Sequence, residues 1–150
     1  MRKLKQDYLR GIWMQIIVDT NVILSALIKQ GKTRTILTNP LTEFFTIEFA
    51  IQEIRKYKTL VLEKSGLTDE EFEIMLSLLL GNVKIVPVEQ IQSRINEAKE
   101  IMRNIDLKDA PILACALSIP NDGLWTEDKH LKKQGKAKVY NTQEMIELIG

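Results

Sequence analysis

Apolar residues fall along this chain in two kinds of run. Gln15 to Val18 is short and continuous, the mark of a strand buried on both faces. Phe44–Ile47, Val83–Val86, Gly123–Thr126 and Lys138–Tyr140 read as four more strands, Val83–Val86 closed by Pro87. Between them the apolar positions recur with helical spacing. A helix starts at Thr20-Asn21 and runs to about Lys29, and after Gly31 a second covers about Thr33 to Thr38. From Glu48 to about Lys64 one stripe carries Ile47, Ala50, Ile51, Ile54, Tyr57 and Val61, and Ser65-Gly66 stops it. Thr68-Asp69-Glu70-Glu71 fits a capping box and opens a helix ending near Gly81. Gln90 to Arg103 is amphipathic. The next helix opens at Asp106 to Asp109, with Pro111 in its first turn, and Asn141-Thr142-Gln143-Glu144 caps a last helix to Gly150.

Strands alternating with helices imply an α/β fold, a parallel sheet covered on both faces. Neither repeats nor a Pro/Gly/Ser linker divide the chain, so residues 14–150 read as one domain. Residues 1–13 look unlike the rest and read as a disordered arm or a start placed too early, since Met14 directly opens the first strand.

In such sheets ligands gather beyond the carboxyl ends of the strands. Asp19 and Asp128 each sit just after a strand, and with Glu53 and Asp109 they form the candidate chemistry. Each also has an ordinary reading. Asp19 sits where a helix N-cap would, Glu53 lies at the edge of an apolar stripe, Asp109 could be the capping partner of Asp106, and Asp128 could be a turn residue with Glu127 as its competitor. Acids brought together raise one another's pKa unless a cation neutralises them. Hard oxygens suit Mg²⁺ or Mn²⁺, and ions so held are common machinery for phosphodiester chemistry.

Composition narrows the classes. The chain has 150 residues, enough to bury roughly 70% of its unfolded surface in one core. With 21 basic and 20 acidic side chains no global field draws it to nucleic acid, so any polyanion must be met by a local patch. The densest basic stretch is Lys129, Lys132, Lys133, Lys136 and Lys138, with Lys29, Lys32 and Arg34 after the first helix; singly, each reads as a solvated lysine or arginine. Base-stacking aromatics are not evident. Cys115, the single cysteine, sits among small apolar residues and reads as a buried hydrophobe in a reducing compartment. No apolar run approaches the ~20 residues of a membrane span, and Gln15 and Asp19 interrupt any signal peptide, so the reading is a cytoplasmic protein.

The order strand-Asp-Thr-Asn-helix, mid-helix Glu, Asp-Ala-Pro-Ile-Leu-Ala-Cys-Ala-Leu, strand-Thr-Glu-Asp-Lys resembles the PIN-domain family of ribonucleases, which includes the VapC-type toxins of toxin–antitoxin pairs. The resemblance spans Met14 to Gly150. It implies a three-layer α/β/α fold with a five-stranded parallel, Rossmann-like sheet and an acidic pocket at one end. It implies that Asp19, Glu53, Asp109 and Asp128 form an acidic quartet binding Mg²⁺ or Mn²⁺, with Asn21 orienting the first acid and Thr126 supporting the last. It further implies an RNA substrate, a homodimer, and a small antitoxin as partner. The arm before Met14 and the extra helical stretch Thr68–Leu80 depart from the family pattern.

On this reading the enzyme is a metal-dependent endoribonuclease, with the lysines guiding the strand and His130 a surface residue. Relief of like-charge repulsion predicts that Asp19→Asn abolishes activity and raises the metal-free melting temperature. The alternatives are a housekeeping RNA-processing nuclease and a catalytically inactive PIN-like module that binds RNA or protein. A receiver-type signalling domain fits poorly, because the strand Val83–Val86 ends in Pro87-Val88-Glu89 with no Asp to phosphorylate.

Overall fold

The central sheet is all parallel, as the alternating pattern predicts, in the order β3-β2-β1-β4-β5. The structure is a computed structural model that describes residues 14–149, so the expectations for the segment 1–13 lie outside the described residues. The strands are β1 (Gln15–Val18), β2 (Glu43–Ile47), β3 (Val83–Val86), β4 (Gly123–Trp125) and β5 (Val139–Tyr140). The helices are α1 (Thr20–Ile28), α2 (Lys32–Leu37), α3 (Glu48–Lys56), α4 (Lys58–Ser65), α5 (Asp69–Leu80), α6 (Val88–Ile91), α7 (Ile95–Met102), α8 (Ala110–Ser118) and α9 (Thr142–Ile149).

Helices cover both faces, giving the three-layer α/β/α arrangement. Successive residues of β1 point to opposite sides. Ile16 and Val18 join Phe44, Trp125, Val22, Ile23, Leu27, Phe72 and Leu79 in one core. Ile17 joins Leu124, Val86, Ala98, Met102, Leu113 and Cys115 in the other. Burial pushes the Cys115 thiol up to about 12, which suits its reading as a packed hydrophobe. Among the described residues no helix is long and apolar enough to cross a membrane.

Strand order places the site. From β1 the chain moves outward through β2 and β3, then returns to lay β4 on the other flank of β1. Connections therefore diverge between β1 and β4, and a crevice opens at their carboxyl ends. Ile17 pairs with Leu124 and Val18 with Trp125, so Asp19 and Thr126 leave the sheet side by side. The close β4–β5 approach needs a glycine. Gly123 has φ of 151°, and a Cβ there would stand 2.5 Å from the Tyr140 ring.

Three elements differ from expectation. The helix expected over Glu48 to Lys64 is two, broken at Tyr57 (φ −95°, ψ 11°), where Lys58 turns to pair with Asp69 and Glu73 at 2.8 and 2.9 Å. The helix expected over Gln90 to Arg103 begins earlier, after Pro87, and tightens to a 3₁₀ turn at Gln92–Arg94, where Arg94 donates to the Leu117 carbonyl at 2.7 Å. Asp106 caps a separate 3₁₀ turn, Leu107–Asp109, before α8 starts with Pro111 in its first turn.

Candidate functional site

Asp19 is the N-cap of α1, and that ordinary role does not exhaust it. Its Oδ1 accepts the Thr20 backbone N–H at 2.8 Å. Its Oδ2 accepts from the Thr126 hydroxyl at 2.8 Å and the Asn21 amide at 3.2 Å. Thr126, buried at the end of β4, also accepts from Asn21 Nδ2 and the Asp128 backbone N–H, both at 3.0 Å. Asn21 Oδ1 in turn accepts the Glu127 N–H at 3.0 Å. The first acid is thus tied to the loop bearing the last through Asn21 and Thr126. Burial pushes the Asp19 carboxyl above its ordinary range, the Thr126 and Thr20 donors pull it back, and the charges of Glu53 and Asp128 add to the rise.

Asp109 is the anomaly. It is 8% exposed, and its Oδ2 is fully buried without any hydrogen-bond partner. Burial first, then Asp128, with smaller contributions from Asp106 and Asp19, pushes its carboxyl up to about 8. A buried carboxylate oxygen lacking a donor is costly, and a cation removes that cost. The donor set around it fits one. Ligand atoms of Asp106, Asp109, Asp128 and His130 lie within 4.8 Å of one another. His130 Nδ1 is 3.0 Å from Asp106 Oδ2 and 3.5 Å from Asp128 Oδ1, and the His130 backbone N–H donates to that Asp128 oxygen at 2.9 Å.

Glu53 reaches the same place from α3, accepting the Thr20 hydroxyl at 2.8 Å. Asp19, Glu53, Asp109 and Asp128 all line one cavity of about 500 Å³, together with Asn21, Phe49, Tyr57, Lys99, Leu107 and Lys108. Glu127, the expected competitor of Asp128, instead accepts the Thr142 N–H at the start of α9.

The basic residues singled out from sequence do not line this cavity. Lys29 and Lys32 border a smaller one near Ser25. Arg34 is built into the fold, donating to the carbonyls of Ala26 at 2.7 Å and Leu27 at 3.4 Å at the end of α1. Lys132 pairs with Glu144, and the Lys138 ammonium lies 5.6 Å from the Tyr140 ring centre. Lys129, Lys133 and Lys136 are exposed on the segment after Asp128. The lysines on the cavity wall are Lys99 and Lys108.

Sequence reasoning missed several contributors. Asp106 read as a cap and His130 as a surface residue. Both descriptions hold locally, yet the pair meet across 24 positions. Thr20, Lys99 and Phe49 carried no local signal and Tyr57 read as part of an apolar stripe, although Phe49, Glu53 and Tyr57 are spaced by four and could have been read as one helix face.

The geometry offers a carboxylate pocket able to hold a hard divalent ion, at the carboxyl ends of the central strands, where ligands of such sheets gather. No curated protein matches the chain. The PIN domain family matches residues 17–148, nearly the whole described chain, and with the five-stranded parallel sheet and the acid-lined crevice beyond β1 and β4 this makes the chain a member of the PIN-domain family, whose domains are generally nucleases.

Proposed function

We propose that this protein is a Mg²⁺- or Mn²⁺-dependent endoribonuclease, and the toxin of a type II toxin–antitoxin pair. The observation that carries the nuclease reading is the buried, unpartnered Asp109 Oδ2 in a cavity shared with Asp19, Glu53 and Asp128. Asp19, Asp109 and Asp128 would hold the metal, with Glu53 adjusting the same pocket and Asp106 and His130 flanking Asp109 and Asp128. These residues would hold an ion whose chemistry, when bound, would be to activate a water and offset negative charge developing on the phosphate oxygens.

The chain's own part is positioning. Thr126 and Asn21 hold Asp19 at a set angle, and the Thr20 hydroxyl holds Glu53. Lys99 and Lys108 supply positive charge on the wall against which an RNA phosphate would lie, with Lys129, Lys133 and Lys136 further along the strand's path. Exposed Ile74 and Leu78, one turn apart on α5, are an apolar surface on which a second copy could pair.

The test is cleavage of a mixed, end-labelled RNA pool with Mg²⁺ or Mn²⁺, beside EDTA and Asp109→Asn controls. Cutting that requires both metal and Asp109 is the expected result. If neither metal gives cutting above the variant's on any RNA, a binding module takes the place of this reading. Co-purification with a small protein encoded beside it, and silencing of the cutting by that protein, tests the toxin assignment.

A further inference from the structure

Phe49, Glu53 and Tyr57 follow one another at intervals of four, and all three line the acidic cavity. Tyr57 is the C-cap of α3, and its N–H donates to the Glu53 carbonyl at 3.0 Å, which keeps it in helical register with the other two. At the helical rise the two rings start roughly 12 Å apart, with the Glu53 carboxyl midway. Phe49 is 50% exposed and Tyr57 39%, and neither belongs to either hydrophobic core. Core packing therefore does not account for two rings flanking an acid on the wall of the acid-bearing cavity. Lys99 and Lys108 line the same cavity, so aromatic faces and positive charge are presented together.

We propose that Phe49 and Tyr57 are stacking platforms for bases on either side of the bond to be cut, so that the site takes a single strand with splayed bases and rejects a duplex. The proposal rests on the nuclease reading and deepens it. A base offers a π-face whatever its identity, so rings at this spacing would bind without strong sequence preference. In a duplex those faces are covered by neighbours stacked about 3.4 Å away, and no ring can reach them without unstacking. With Glu53 between the rings, two bases held on them would lay the intervening backbone across the acids. The Lys56 ammonium, 5.8 Å from the Tyr57 ring centre, adds a cation beside one of the platforms.

The experiment uses the full chain carrying Asp109→Asn, which stops turnover, and a short fluorescent oligouridine containing 2-aminopurine. Binding is followed by anisotropy, and stacking by quenching of the 2-aminopurine. Phe49→Ala and Tyr57→Ala should each weaken binding roughly five- to a hundredfold and relieve the quenching, while Phe49→Trp and Tyr57→Phe retain both. The same strand in a duplex should bind at least about tenfold more weakly. Both rings are exposed, so the variants should fold, which an unchanged melting temperature checks. Unchanged affinity in both alanine variants would overturn the stacking role and leave the nuclease standing if the unsubstituted protein cuts RNA. A change in sedimentation mass with unchanged RNA affinity would assign the rings to a protein contact and equally overturn it. Failure of the unsubstituted chain to cut or bind any RNA would remove the nuclease reading, and the stacking with it.

Discussion

Asp109 is buried and Asp19 half-buried, and the fold treats them oppositely. Both oxygens of Asp19 accept hydrogen bonds, whereas Asp109 Oδ2 has none. The gain in metal-free stability expected of Asp19→Asn therefore belongs more properly to Asp109→Asn. An amide at position 19 would turn an N–H toward the donors of Thr126 or Thr20, and an amide at 109 relieves an uncompensated charge. Asp109 also makes a pH prediction. Its folded pKa, about 8, lies above its ordinary 3.8, so its contribution to stability is complete below pH 3.8 and is lost as pH rises through about 8. In EDTA the melting temperature should fall between pH 5 and 8. Asp109→Asn should flatten that fall, and Mn²⁺ should reverse it in the parent only; a fall of equal size in the variant would assign it to other groups. Thr126→Val keeps the shape and removes the donor to Asp19, and should weaken metal binding roughly 10- to 100-fold, measured by calorimetry. Asp19 and Asp128 were legible because strand ends announce themselves in the apolar pattern, whereas Glu53 and Asp109 were picked out by the order of motifs along the chain. Asp106 and His130 were not, because their partnership is made by the fold between α7 and α8 meeting the loop after β4, and neither segment hints at the other.

Elements were legible where ends carry chemistry and less so where tertiary contacts bend them. The capping box at Thr68 forms as its sequence predicts, Thr68 Oγ1 accepting the Glu71 N–H at 3.1 Å and Glu71 Oε1 accepting the Thr68 N–H at 2.9 Å. The reciprocal pair Asn141–Glu144 does the same for α9, both bonds at 2.8 Å. The break at Tyr57 had no Pro or Gly to mark it. At the break, Glu73 of α5 pairs with both Arg55 at the end of α3 and Lys58 at the start of α4. Because that break ends α3 just past the cavity, it helps to set where Tyr57 sits. Gly123 tests the sheet in the same spirit. Gly123→Ala places a methyl against Tyr140 in a backbone region that L-residues avoid, and should cost about 1–3 kcal/mol in chemical denaturation. An unchanged midpoint would mean that β5 yields freely, and that β4–β5 pairing contributes little.

For the molecule as a whole, a net charge of +1 hides an uneven arrangement, an acid-lined crevice with lysines on its wall and along the loop beyond it. RNA affinity should therefore fall steeply with salt, and Lys99→Ala with Lys108→Ala should flatten the slope by about one to two counterions. The layered fold was legible from strand–helix alternation alone, since that pattern leaves few topologies. Which lysines face the crevice was not, because charge has no period to read. The first strand made, β1, is completed by one of the last, β4, and Asn21 must wait for Thr126 to be synthesised before the acids are joined. Asp19 and its partner Thr126 lie 107 positions apart, so a fragment stopped before Gly123 should neither melt cooperatively nor take up Mn²⁺.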